Sequence, residues 1–308
     1  RTLGALLIPV DGDYGITLRR APDWRAACTE AWGPASGQPC VVALRELLGI
    51  VGAHEWRKKG VEVPALGPAP GNRIHPHYGV FSPVRGEYID LVAQAPLPAT
   101  TLAFDIGTGT GVLAALLARR GVQQVLATDQ DPRALACARD NLQRLALASQ
   151  VQVLQADLFP EGRAPLVVCN PPWLPARPSS PVEHAVYDEG SRMLRGFLAG
   201  LAAHLAPGGE GWLILSDIAE HLGLRTRDEL LALIHSDDAV YPSLPKGQER
   251  NPFPFSREPA DEAALHRALV ERGELPVAAW DPDARPRWDR PYAELRVAQA
   301  ERMGLLRA

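Results

Sequence analysis

From Thr100 onward, apolar runs of four to six residues alternate with longer amphipathic stretches, and this rhythm limits the fold more than any other feature of the chain. Short apolar runs bounded by turn residues suit strands buried on both faces, and the helical patterns between them supply the crossovers that parallel strands require. Strands are expected at residues 102–105, 124–128, 151–155, 166–169 and 211–216, with helices at 111–120, 132–145 and 191–205. Asp131 before Pro132 is a start signal for the second helix, a capping acid followed by proline at the first helical position. The expected class is α/β, a Rossmann-like, doubly wound, mostly parallel sheet.

The 308 residues exceed one typical domain of roughly 100–200 residues, so appendages are expected. Residues 1–80 carry short helical patterns at 24–32 and 41–52, broken by Gly33-Pro34 and Gly37-Gln38-Pro39, and read as a small helical N-terminal domain that recognises substrate. Residues 64–71, with Pro64, Pro68 and Pro70, read as a linker. Residues 81–240 form the expected catalytic domain, ending in a helix at 227–234. Residues 241–308 form a C-terminal extension with a Pro-rich stretch at 242–259, a helix at 261–272 and a strand at 292–297 that completes the sheet edge.

Charge and apolar runs exclude several classes. The 32 basic and 36 acidic residues give −4, where strong nucleic-acid binders usually carry a basic excess. Residues 1–80 hold 9 basic and 7 acidic groups, residues 81–246 hold 13 and 18. No apolar run approaches the roughly 20 residues that cross a bilayer. A cytoplasmic, monomeric protein is expected. Arg1 rather than Met opens the chain, so a few native residues are expected ahead of it. Cys28, Cys40, Cys137 and Cys169 lack metal-ligand or C-x-x-C spacing and read as reduced, mostly buried thiols, and no metal is expected.

The residues that carry chemistry stand at predicted strand ends. Phe104-Asp105-Ile106-Gly107-Thr108-Gly109-Thr110-Gly111 is a glycine-rich turn where such sheets bind nucleotides. Val112 occupies the last glycine position of a dinucleotide fingerprint, and no Lys-Ser/Thr pair follows as in a phosphate loop. Asp105 is instead placed to meet a cation such as the ammonium of an amino-acid-like ligand. Asp129, 24 residues on, offers two oxygens to the hydroxyls of an adenosine-type ribose. Asp157 would accept from the exocyclic adenine amine, with Leu158 packing on the ring. Asn170-Pro171-Pro172-Trp173 closes the fourth strand. Its prolines stiffen the backbone, the Asn170 side-chain oxygen and the Pro172 carbonyl accept both hydrogens of one planar NH₂ group, and Trp173 offers a stacking face.

Asp105–Gly111, Asp129, Asp157 and Asn170–Trp173, in that order, resemble the class I S-adenosylmethionine-dependent methyltransferases that carry an N-P-P-aromatic motif. The resemblance implies S-adenosyl-L-methionine as cofactor. It puts Gly107, Gly109 and Gly111 along the methionine part, Asp129 at the ribose, Asp157 at the adenine and Asn170 at the accepting amine. Phe81-Ser82-Pro83-Val84-Arg85-Gly86-Glu87-Tyr88 and Tyr187-Asp188-Glu189-Gly190 are similar to segments of the release-factor glutamine methyltransferase subfamily. Trp173 stands where Tyr or Phe is usual, Gly86 where Thr is usual, and roughly 70 C-terminal residues have no match to that pattern.

The expected function is methyl transfer to a planar amide or exocyclic amine. A protein glutamine is favoured as the macromolecular substrate over an rRNA or tRNA base. An NAD-dependent dehydrogenase is disfavoured by Val112, and a non-catalytic nucleotide-binding module is the remaining alternative. His75-Pro76-His77 reads as structural or substrate-rim and not as a metal pair. Residues 54–59 read as a solvated helix face, and Phe253 and Phe255 as groove or loop anchors.

Overall fold

The computed structural model describes residues 6–84, 86–177, 186–235 and 304–307. Five parallel strands form its centre: β5 (Leu102–Ile106), β6 (Gln124–Asp129), β7 (Val151–Gln155), β8 (Ala164–Cys169) and β9 (Leu205–Leu215). They lie in the order β9-β8-β5-β6-β7, and a short strand β10 (Gly304–Arg307) adds antiparallel to β9 at the edge. The strand expected at 292–297 and the helix expected at 261–272 fall outside the described residues.

Strand side chains alternate between the two faces of the sheet, and each face is buried. Ala103, Val125, Ala127, Leu166, Val168, Trp212 and Ile214 belong to one core. It is covered by α3 (Glu87–Gln94), α4 (Val112–Arg119) and the apolar side of α5 (Pro132–Arg144). Phe104, Ile106, Val167, Cys169, Leu213 and Leu215 belong to the other core, beneath α6 (Arg192–His204) with Leu194, Phe197, Leu198 and Leu201. Asp131 caps α5 as its position suggests, its carboxylate accepting from the Arg133 N–H at 2.9 Å. β9 begins well before the expected residue 211, because Ala164 pairs with Leu205 across an irregular register before regular pairing with β8 resumes at Leu166 and Glu210.

The N-terminal region is not purely helical. β1 (Leu7–Val10) pairs antiparallel with β2 (Cys40–Ala43), and with α1 (Arg25–Trp32) and α2 (Leu44–Lys59) they enclose a small core of Val10, Trp24, Cys28, Val42 and Leu47. Of the stretch expected to be a linker, Pro64–Leu66 forms a short 3-10 turn with Leu66 buried, and residues 68–71 are exposed. β3 (Val61–Glu62) pairs with β4 (Arg73–Ile74), and Val63, Leu66 and Ile74 bury in the main core. The prolines there fix φ, but Leu66 between them and Val63 and Ile74 on either side anchor the stretch by leaving water.

Residues 54–59 are also more than a solvated face. His54 pairs with Glu30 at 3.0 Å, and Arg57 reaches Glu30 and Asp140, each at 3.6 Å. His77 Nε2 meets the same Asp140 at 3.0 Å, and His75 Nδ1 donates to the Arg57 carbonyl at 2.6 Å. Burial, helped by Arg57, holds the His77 pKa below its ordinary value. These contacts join the N-terminal helices to α5 and give His75 and His77 structural work. The four cysteines are free; Cys28, Cys137 and Cys169 are buried and Cys40 is exposed. No helix among the described residues is long and apolar enough to cross a membrane.

Candidate active site

Strand register brings the distant segments together. Ile106 of β5 pairs with Thr128 on one side and Cys169 on the other. The residues that follow, Gly107, Asp129 and Asn170, therefore leave the sheet side by side at its carboxyl edge, where the strand order reverses. Asp129 pairs in turn with Gln155, two residues before Asp157. Asp105, Gly107, Thr108, Gly109, Asp129, Asp157, Leu158, Asn170, Pro171, Pro172 and Trp173 line one cleft of about 830 Å³.

The glycine turn is held open from behind. Gly107 and Gly109 sit at φ 71° and 54°, in the left-handed region where a side chain is strained. The Thr108 N–H donates to the Thr128 carbonyl at 2.8 Å. A Cβ on Gly109 would extend into the cleft, with Val80 Cγ1 its nearest neighbour at 4.0 Å, so the absent side chain leaves room for a ligand against the backbone. Gly111 departs from its expected role, because it does not line the cleft. A Cβ there would stand 3.2 Å from the Ala138 Cα, so this glycine serves the close packing of α4 on α5.

Three carboxylates face different demands. Asp105 is 1% exposed, and its Oδ2 accepts from the Thr108 hydroxyl at 2.6 Å and the Ala114 N–H at 3.0 Å. Desolvation pushes its pKa up to about 6 against those hydrogen bonds, and Asp129 adds to the rise. Asp129 Oδ2 accepts from the Gly109 N–H at 3.0 Å and Oδ1 from the Asp131 N–H at 2.9 Å. Burial raises its pKa, with both bonds opposing. A carboxylate offers about four acceptor sites, so each oxygen of Asp129 retains capacity for a ligand hydroxyl. Asp157 is exposed and forms an ion pair with Arg192 at 2.7 Å, a partner that no local pattern announced. Leu158 adopts φ 74°, and its carbonyl accepts from the Thr128 hydroxyl at 2.5 Å, which fixes the floor beside it.

The Asn170–Trp173 tetrad is internally tied. The Trp173 indole N–H donates to Asn170 Oδ1 at 3.0 Å. One acceptor site of the amide oxygen is thereby filled and its direction set, and the second remains. The Trp173 ring is held edge-on by Phe81, with centroids 6.1 Å apart at 68°, and Phe81 in turn touches Tyr88. Beyond the tetrad, Leu174 bridges to Tyr187, and Asp188 caps α6 by accepting from the Met193 and Leu194 N–H groups at 2.9 and 3.3 Å. Burial raises the Asp188 pKa against these bonds.

Sequence reasoning assigned no role to Tyr88, Asp188, Arg192 or Met193, which also line the cleft. Asn141 was missed as well. It is fully buried on α5, accepts from the His75 N–H at 2.7 Å and donates to the Thr110 carbonyl at 3.0 Å, tying the glycine turn to the segment before α3. Its signal was available, since it falls on the apolar stripe of Leu135, Ala138 and Leu142.

Among known proteins, the family model described as Methyltransferase small domain matches residues 72–227. The chain is 49% identical over 69 residues to a ribosomal protein L11 methyltransferase of Pelotomaculum thermopropionicum, covering 22% of each chain. It is 34% identical to a release factor glutamine methyltransferase of Cereibacter sphaeroides, over 41% of this chain and 50% of that one. A ribosomal protein L11 methyltransferase of Bordetella parapertussis is 29% identical over 71% of this chain and 63% of its own. The chain thus spans between about a fifth and just under two thirds of the curated relatives it matches. With that match over half its length, the chain belongs to the methyltransferase small domain family, among the class I S-adenosylmethionine-dependent methyltransferases.

Proposed function

We propose that this chain transfers a methyl group from S-adenosylmethionine to a planar nitrogen, with a protein glutamine side chain as the first acceptor to test. The observation that carries the reading is the pairing of Ile106 with Cys169, which sets Asn170 beside the glycine turn in one cleft. Two of the similar proteins described above act, by their names, on ribosomal protein L11 and on a release factor, both protein substrates. Residues 81–246, with 13 basic and 18 acidic groups, also suit a protein better than a polyanion. Residues 1–80 would supply macromolecular recognition.

The residues fit the cofactor. The backbone at Gly109 is open to it, whereas the Met193 side chain covers Gly107; Asp105 balances an ammonium and Asp129 accepts ribose hydroxyls. Bound there, the cofactor supplies an electrophilic methyl group. Asn170 Oδ1 and the Pro172 carbonyl hold the two N–H groups of the acceptor so that its lone pair points at the methyl carbon. No tuned general base is needed, because the attacking nitrogen sheds its proton after transfer, and positioning carries most of the rate.

Asp129→Ala should weaken binding of S-adenosylmethionine and its demethylated product about ten- to a hundredfold, since a hydrogen bond to a charged group is worth about 1.5–3 kcal/mol. Calorimetry measures this, and absence of any binding by the wild type would sink the cofactor assignment. Affinity should also fall below about pH 6, where Asp105 takes a proton, by up to about tenfold per pH unit. Asp105→Asn should flatten that profile. The folding linkage has the opposite sign. The native pKa lies above the ordinary value of 3.8, so this group's contribution to stability rises as pH falls from about 6 to about 4.

A further inference from the structure

Beside the main cleft, on the other side of one turn, lies a second cavity of about 450 Å³. Asp188 and Glu189 line the first cavity, and Gly190 and Ser191, the next two residues, line the second. Pro175, five residues past Asn170, lines it too. Arg225 also lines this cavity, between the short helix α7 (Ile218–His221) and α8 (Arg227–His235). It is 8% exposed, yet among the described residues its guanidinium makes one long hydrogen bond, Nη1 to Ser191 Oγ at 3.5 Å, and its buried Nε has no partner there.

A buried guanidinium without a direct ion pair is costly. Glu220, Asp188 and Glu229 all lie within electrostatic reach. Glu220, however, pairs with Arg227 at 3.5 Å, Glu229 accepts from the Thr226 N–H and hydroxyl at 2.7 and 3.1 Å, and Asp188 is engaged by the start of α6. None of the three forms an ion pair with Arg225 among the described residues. Arg195 also lines the cavity.

Resting on the methyl-transfer reading, we infer that this cavity is a specificity subsite that takes one carboxylate of a protein substrate, an Asp or Glu side chain near the methylated residue, on the Arg225 guanidinium. The planar fork of Arg suits a two-oxygen partner. A phosphate backbone would need a row of cations, in a region that instead carries 13 basic and 18 acidic groups.

The test is an NMR titration of the full chain with nitrogen-15 arginine, following the Arg225 Nε–H resonance, assigned by its loss in Arg225→Lys. Acetyl-glutamate-methylamide should shift this resonance saturably, and acetyl-glutamine-methylamide should not. Ala232→Phe, at an exposed position of α8 on the cavity wall, fills the space and should weaken the response at least about tenfold while leaving the fold intact. It also identifies the resonance where Arg225→Lys fails to fold. No saturable shift, or an equal one from sodium chloride, overturns the inference. Inorganic phosphate binding more tightly than the carboxylate also overturns it and points to a nucleic acid. Calorimetry with S-adenosylhomocysteine on the same sample separates the two levels. Binding there without an Arg225 response sinks the subsite alone, and no binding there sinks the methyl-transfer reading.

Discussion

Asn170→Ala should leave cofactor affinity within about twofold of wild type and slow single-turnover methyl transfer by about a hundredfold or more. In the proposed mechanism the side-chain oxygen of Asn170 holds the acceptor nitrogen, and that interaction would strengthen as the nitrogen becomes tetrahedral and positive in the transition state. An interaction made mainly at that point appears in the rate and not in cofactor binding. The geometry adds a graded control. The Trp173 N–H aims the Asn170 oxygen at 3.0 Å, so Trp173→Phe keeps an aromatic face but releases the oxygen. That change should cost about 1 kcal/mol, about fivefold in rate, as loss of one neutral hydrogen bond. Trp173→Ala should mainly raise KM, because stacking acts in the ground state too. Wild-type single-turnover rates for Asn170→Ala would make the tetrad structural.

The sheet and the cleft were legible in the sequence because they follow from local patterns. Apolar runs such as Leu166–Cys169 have few other places to go than a strand buried on both faces, and a ligand site at the carboxyl edge follows from parallel pairing. What escaped depends on pairings that sequence separation hides. The Asp157–Arg192 ion pair joins residues 35 apart, and nothing in either neighbourhood marks it. The linker reading of residues 64–71 gave weight to three prolines and too little to Leu66, whose burial with the flanking Val63 and Ile74 anchors the start of the stretch. Gly111 looked like a ligand glycine because its spacing continues Gly107 and Gly109, while the constraint on it comes from the backbone of α5. Glycine spacing reports close approach without saying what approaches.

Asn141→Ala should be the most destabilising single change near the site, costing about 2–4 kcal/mol. The substitution removes an acceptor for the His75 N–H at 2.7 Å and donors to the Thr110 and His75 carbonyls at 3.0 and 3.3 Å. The Thr110 carbonyl then stays buried without its partner, the half-buried His75 groups lose theirs, and a small cavity opens in α5 beside Leu142. Urea unfolding should show a lower midpoint at unchanged slope, and the melting temperature should drop by roughly 5–15 °C. The effect should also reach the ligand. The Thr110 carbonyl belongs to the glycine turn, so loss of its tether loosens the backbone that carries Gly107 and Gly109, and cofactor affinity should fall although Asn141 lines no part of the cleft. Asn141→Asp separates the two terms. It keeps the acceptor for His75, loses both donors and buries a charge, so it should be at least as unstable as the alanine variant. Wild-type stability in Asn141→Ala would mean that the turn is held by its glycines and by its bonds to Thr128, Asp105 and Asp129.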